Sequence, residues 1–259
     1  MGSSDLQDRL LSLRDTWLTW VPASNVVILS DALAPGLNIT VLPELPADAY
    51  LEEVFGNVSS LNNYHKANLR HLKAVQWLGE QKSEALRGID WVMMVDDDTF
   101  VNVPLLLQFL SQLPASLPLS VGMIYDNAAW DPFLKGLAYP QGGAGMLFSK
   151  PGFLLLAQHV LRPHCCATEE LYFNDVAIGF ALTRARVVKV HSALFYAEEA
   201  ATSYDLVIQD VGMRVTQHRS NEHQKMLSHL CVVSRRYQWP HELCNNATIL
   251  CDPACHYTS

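Results

Sequence analysis

Residues Trp91 to Val95 (WVMMV) form an apolar run that passes without a break into Asp96, Asp97 and Asp98. An apolar run of this length reads as a strand buried on both faces. Three adjacent carboxylates at its end are a poor packing solution. Like charges a few ångströms apart repel and raise one another's pKa unless a cation is present. In open α/β sheets the carboxyl ends of the strands are also where ligands bind. A divalent metal there would bridge the carboxylates to a diphosphate and stabilise a leaving group as charge develops on it. Side chains alternate along a strand, so Asp96 and Asp98 are expected on one face and Asp97 on the other. The competing structural reading is a solvated acidic turn. A phosphatase site of pattern D-x-D-x-[TV] shares the Asp96 and Asp98 spacing, but its fifth position is Phe100, with Thr99 one place early.

Around this strand the pattern alternates. Leu6, Leu10, Leu11, Leu13 and Trp17 fall at helical spacing. Asn25 to Leu29 (NVVIL) ends in Ser30 and Asp31 and reads as a buried parallel strand, with Ile39 to Leu42 as the next. Leu61 to Gln81 returns to a helical period, Val103 to Leu113 predicts another helix, and Ser120 to Met123 starts another strand. Strands alternating with helices predict an α/β domain with a mostly parallel central sheet. After about residue 220 the chain becomes polar and turn-rich, so residues 1–220 read as the main domain and 221–259 as a Cys-rich extension packed on it.

Composition narrows the function. With 49% hydrophobic and 17% charged residues the chain is globular, and a net charge of −8 argues against general nucleic-acid binding. An acidic protein that binds a nucleotide must neutralise phosphates locally, with a metal or a few placed cations. No apolar run approaches the roughly 20 residues needed to span a bilayer, and no signal peptide is visible. Sequons at Asn38, Asn57 and Asn246 point to a secretory protein. So do the six cysteines, Cys165, Cys166, Cys231, Cys244, Cys251 and Cys255, an even number confined to the C-terminal half. Free thiols, or a zinc site from Cys244, Cys251, Cys255 and His256, are the alternatives to disulfides.

Several segments fall in the order of a known family. Arg14 to Trp17 (RDTW), Ser30-Asp31, Tyr64 to Ala67 (YHKA), Trp91 to Asn102 (WVMMVDDDTFVN), Gln141 to Lys150 (QGGAGMLFSK) and Asn174 to Gly179 (NDVAIG) together resemble the fringe-like β1,3-glycosyltransferases, which include core-1 galactosyltransferases. The resemblance covers about residues 10–219. It implies a Rossmann-like nucleotide-sugar fold of the GT-A type and an inverting, metal-dependent transfer of sugar from a UDP-sugar to a glycan or glycoprotein. It implies Mn²⁺ on Asp98 and a distant histidine, Asp31 and Asp96 near uracil or ribose, and Lys66 on a phosphate. Asp97 would share the nucleotide site, and Gly142 and Gly143 would let backbone approach the substrate closely. Asp175 is the implied general base; read alone, it suits a helix N-cap equally well. Glu169 and Glu170 are reserve candidates, and Trp130, Phe133 and Tyr139 would either stack on a sugar or fill the core. A Golgi or ER lumenal location follows, with any membrane tether supplied by an anchor absent from this chain, or else secretion.

Two departures stand out. The family opens with a strand before the R-x-T-W helix, and the nine residues before Leu10 do not read as one. Fringe proteins place the metal histidine in an F-H-S-H segment, where this chain has Leu194 to Glu199 (LFYAEE). Other relatives use a later histidine, which makes His218 in VTQHR the expected ligand, with Glu198 as an oxygen alternative and His191 assigned to a strand. A degenerate relative that binds glycan or nucleotide without turnover is the rival reading.

Overall fold

The computed structural model describes residues 3–30, 39–41, 63–80, 86–126, 137–160, 174–197 and 215–217, with seven further positions between 226 and 237. Helix α1 (Ser3–Asp15) leads through short 3-10 turns to β1 (Ile28–Ser30), which pairs in parallel with β2 (Ile39–Val41). Helix α2 (Asn63–Glu80) precedes β3 (Trp91–Met94) and β4 (Phe100–Val101). Then come α3 (Val103–Leu110), β5 (Leu119–Gly122), β6 (Ile124–Asp126), β7 (Ala138–Pro140) and β8 (Met146–Ser149). Helices α4 (Lys150–His159) and α5 (Asn174–Arg184) are followed by β9 (Val188–His191) and β10 (Thr216–Gln217).

The sheet is where expectation and structure differ. Its four strands run in the order β3-β8-β5-β9, and β8 is antiparallel to both β3 and β5. Only β5 and β9 pair in parallel. The sheet is therefore mixed, not mostly parallel. The alternation of strand and helix does deliver β3, β5 and β9 in a common direction. Strand β8 enters between the first two from the glycine loop after β7 and runs the opposite way.

Both faces of this sheet are covered, as a near-continuous apolar strand requires. Val92, Met94, Met146 and Phe148 face one layer, built from α2, α4 and α5 with Phe153, Leu156, Val75 and Ile178. Trp91, Met93, Leu147, Leu119 and Val121 face the other, against Phe109 of α3 and Phe195. The alternation along β3 and β8 is the period-2 pattern of a pleated strand. Fully burying each of Phe148 and Phe153 contributes about 1.5–3 kcal/mol. Ser149 ends β8 and starts α4: its hydroxyl accepts from the Gly152 N–H at 3.2 Å and the Leu119 N–H at 2.9 Å, and donates to Leu117 O at 2.6 Å. A third cluster joins distant parts of the chain. Leu10, Leu13 and Trp17 pack with Phe100, Val101 and Val103 and with Met226, Leu230 and Val233.

Helix α5 lies against β7 at Gly179, where an added Cβ would sit 2.2 Å from Tyr139 Cβ and 2.8 Å from its Cα. The glycine of the NDVAIG segment is thus a packing requirement. Gly179→Ala is expected to cost about 2 kcal/mol net, since overpacking outweighs the roughly 1 kcal/mol of helix propensity gained. Chemical denaturation checks this, and an unchanged midpoint would refute the packing role.

Candidate active site

Strand β3 ends at Met94, and the triplet that follows is not extended. The Thr99 N–H donates to Asp96 O at 3.2 Å, closing a turn over Asp96 to Thr99. Strand alternation therefore does not set where the three carboxylates go. Asp96 Oδ1 lies 3.7 Å from His71 Nε2 of α2. Asp97 takes the opposite partner, Arg9 of α1, whose guanidinium donates to Oδ1 at 3.2 Å. Burial pushes the Asp97 carboxyl above its ordinary value; Arg9 pulls it back, while Asp98 and Asp96 push it up. The turn is a partly buried concentration of negative charge, with Arg9 against its middle member.

Two further segments pin this turn. Buried Thr99 donates from Oγ1 to Gly143 O at 3.1 Å, tying the triplet to the loop between β7 and β8. Asn102 caps α3 by accepting from the Leu105 N–H at 3.2 Å, and its own N–H donates to Val215 O at 2.8 Å. Strand β10 then pairs antiparallel with β4, Thr216 opposite Val101 and Gln217 opposite Phe100.

The glycine loop is a tight turn. The Gly145 N–H donates to Gly142 O at 2.9 Å, and the Ala144 N–H to Gln141 Oε1 at 2.5 Å. Gly145 has φ +82°, a left-handed backbone that favours glycine, and Val95, Met93 and Thr216 close around its missing side chain at 3.3–3.4 Å. At Gly142 an added Cβ would meet only ordinary contacts, the nearest being Asn174 Oδ1 at 3.6 Å. Gly142 serves through its backbone: its N–H donates to Asp175 Oδ2 at 3.3 Å.

Asp175 sits in the first turn of α5, where Oδ1 accepts from the Val176 N–H at 2.8 Å. Burial raises its carboxyl above the ordinary value, against the hydrogen bonds from Gly142, Val176 and its own N–H, and the charge of Asp96 adds to the rise. A partly buried carboxylate raised in this way, with a second carboxylate adding to the rise, has the electrostatic character of a proton acceptor. The fold thus brings together Asp96, Asp97, Asp98, Gly142, Gly143 and Asp175 from three distant segments.

One member was not anticipated. His71 stands between Asp96 and Asn174, whose Nδ2 meets its Nδ1. Its signal was a polar residue at i+3 from buried Asn68 and adjacent to the apolar stripe of Leu72 and Val75. Lys66 is carried by α2, with its side chain outside the described residues; Asp31, His218, Glu198, Glu169, Glu170, Trp130 and Phe133 also lie outside them. So do the sequon asparagines Asn38, Asn57 and Asn246 and every cysteine except Cys231. Tyr139 is buried in the core, edge-on to Tyr125, and His191 ends β9 with Nδ1 accepting from the Ile124 N–H at 3.2 Å. Among the described residues no three of His, Cys, Asp and Glu are grouped to hold a metal ion, and no helix is long and apolar enough to cross a membrane.

Known proteins resemble part of this chain. Over 108 residues the chain is 29% identical to a beta-1,3-glucosyltransferase of Mus musculus, covering 42% of this chain and 21% of that one. Over 106 residues it is 26% identical to a beta-1,3-glucosyltransferase of Homo sapiens, covering 41% and 20%. The matched part is about a fifth of the length of these curated relatives. The Fringe-like family model matches residues 40–228, well over half of the chain, and takes in the acidic turn, the glycine loop and Asp175. The chain belongs to the Fringe-like family.

Proposed function

We propose that this chain carries the catalytic centre of an inverting glycosyltransferase of GT-A type, which moves a sugar from a UDP-sugar to a hydroxyl of a glycan or glycoprotein, in β1,3 linkage. The observation that carries the reading is the meeting of Asp175, the Gly142 N–H and the acidic turn around Asp96. Asp175 accepts the proton of the acceptor hydroxyl as its oxygen attacks the anomeric carbon. The bond to UDP breaks on the opposite face, and UDP leaves with the electron pair. The N–H groups of Gly142 and Val176 hold the Asp175 carboxylate in place for this transfer. Asp96, with Asp31, orients the ribose or uracil, and Lys66 binds a phosphate. Asp97 supports the nucleotide site from behind, through Arg9.

A divalent cation suits the donor set. Carboxylates are hard oxygen ligands, suited to Mn²⁺ or Mg²⁺, and such ions are often held by one or two carboxylates completed by substrate phosphates. Burial raises Asp97 most, and a cation at the turn would relieve the further push from Asp98 and Asp96. Asp98 would hold the ion with His218; Gln217, the residue before it, pairs with Phe100, two residues after Asp98. When bound, the ion supplies Lewis-acid stabilisation of the departing diphosphate. The sequons and clustered cysteines fit work in the Golgi or ER lumen, or outside the cell, with residues 221–259 as an extension of the catalytic domain.

A screen of UDP-sugars for UDP release with Mn²⁺, with and without glycan acceptors, tests the reading. Release from one donor, increased by an acceptor, is expected. Tight UDP binding with no release from any donor would instead establish the degenerate, binding-only relative.

A further inference from the structure

His71 has no part in the proposed mechanism. It reaches both the acidic turn and the start of α5, two elements that share no strand pairing. Asn174 Oδ1 accepts the Asp175 N–H at 2.8 Å, which leaves its Nδ2 facing His71 Nδ1. An amide nitrogen can only donate there, so Nδ1 is the acceptor and the imidazole proton sits on Nε2. Nε2 lies 3.7 Å from Asp96 Oδ1, in contact but beyond direct hydrogen-bond length. The ring thus faces the base's helix with Nδ1 and the nucleotide side with Nε2. Asn174 in turn holds the backbone N–H of Asp175 itself.

We propose that His71 is a positioning residue that links Asp96 to Asn174, so that the nucleotide side of the site sets the placement of Asp175. This rests on the glycosyltransferase reading. A misplacement of about 1 Å at a reacting group costs roughly 10²-fold in rate. Loss of the link therefore acts on turnover and spares nucleotide binding.

The test uses the full chain with His71→Ala, His71→Gln, Asn174→Ala and the His71→Ala/Asn174→Ala double variant. Glutamine can accept and donate at once, as the neutral imidazole does. His71→Ala is expected to lower kcat by about 10–100-fold while UDP affinity, titrated with Mn²⁺, and donor KM stay within about threefold. His71→Gln is expected to restore much of the kcat. In thermal unfolding, the double variant should lose less than the two single losses added together, because both break the same contact. A loss confined to KM, equal losses for alanine and glutamine, or additive Tm changes would overturn the link. A wild-type chain that neither binds UDP nor transfers sugar would sink the glycosyltransferase reading instead. The thermal cycle would still decide the contact, because it needs no donor.

Discussion

Asp175→Asn is expected to lower sugar transfer by about 10²–10⁴-fold while leaving UDP binding nearly intact. Asparagine keeps the shape but cannot take a proton from the acceptor. The wild-type rate should also carry a pH signature. As the proposed base, Asp175 would work only when ionised, and burial raises its pKa above the ordinary carboxylate value. Activity should therefore climb with pH through that raised value, and the residual activity of Asp175→Asn should lack this limb. The same shift has a defined sign in stability. The native state holds this proton more tightly than the unfolded chain. Its contribution is complete below the unfolded pKa and is lost as pH rises through the folded one. A variant that keeps a tenth of the wild-type rate, or keeps the acid limb, would remove Asp175 from the chemistry.

Stripping divalent ions is expected to abolish transfer and weaken UDP binding on the order of 10²-fold, the scale of a metal's contribution to diphosphate charge. Asp98→Asn should reproduce most of this defect, with added Mn²⁺ giving partial recovery. Asp97→Asn should behave differently. Its carboxylate is engaged by Arg9, so its substitution acts on the seating of α1 against the turn. UDP titrations in Mn²⁺ and in chelator, run on both variants, separate the two roles. Equal binding with and without ions would dismiss the metal altogether.

Much of the framework around the acidic turn is readable from residue order. The helix over Asn63–Glu80 and the strand Trp91–Met94 follow from periods that side-chain burial imposes, and both appear within a few residues of expectation. Direction is another matter. Nothing in the apolar run Met146–Ser149 says which way β8 will point, because a strand buried on both faces looks alike parallel or antiparallel. The acidic triplet's place after a strand was legible, but its turn entered only as the competing reading, because the pleat does not continue past Met94, where the strand stops. Pairings across long separations were also invisible. Arg9 and Asp97 are 88 residues apart, and Asn174 and His71 are 103 apart. No local pattern encodes such partners. A histidine beside a helix's apolar stripe reads as filler until its neighbours are known.

The cluster of Leu10, Leu13 and Trp17 with Phe100, Val101 and Val103 draws its third side from Met226, Leu230 and Val233. During synthesis, the seat beneath the carboxylate-bearing turn stays open until those late residues emerge from the ribosome. Contacts of such wide sequence separation also form slowly. A nascent polypeptide halted before this stretch would hold Asp96, Asp97, Asp98 and Asp175, yet lack one side of the apolar packing around Phe100 and Val101.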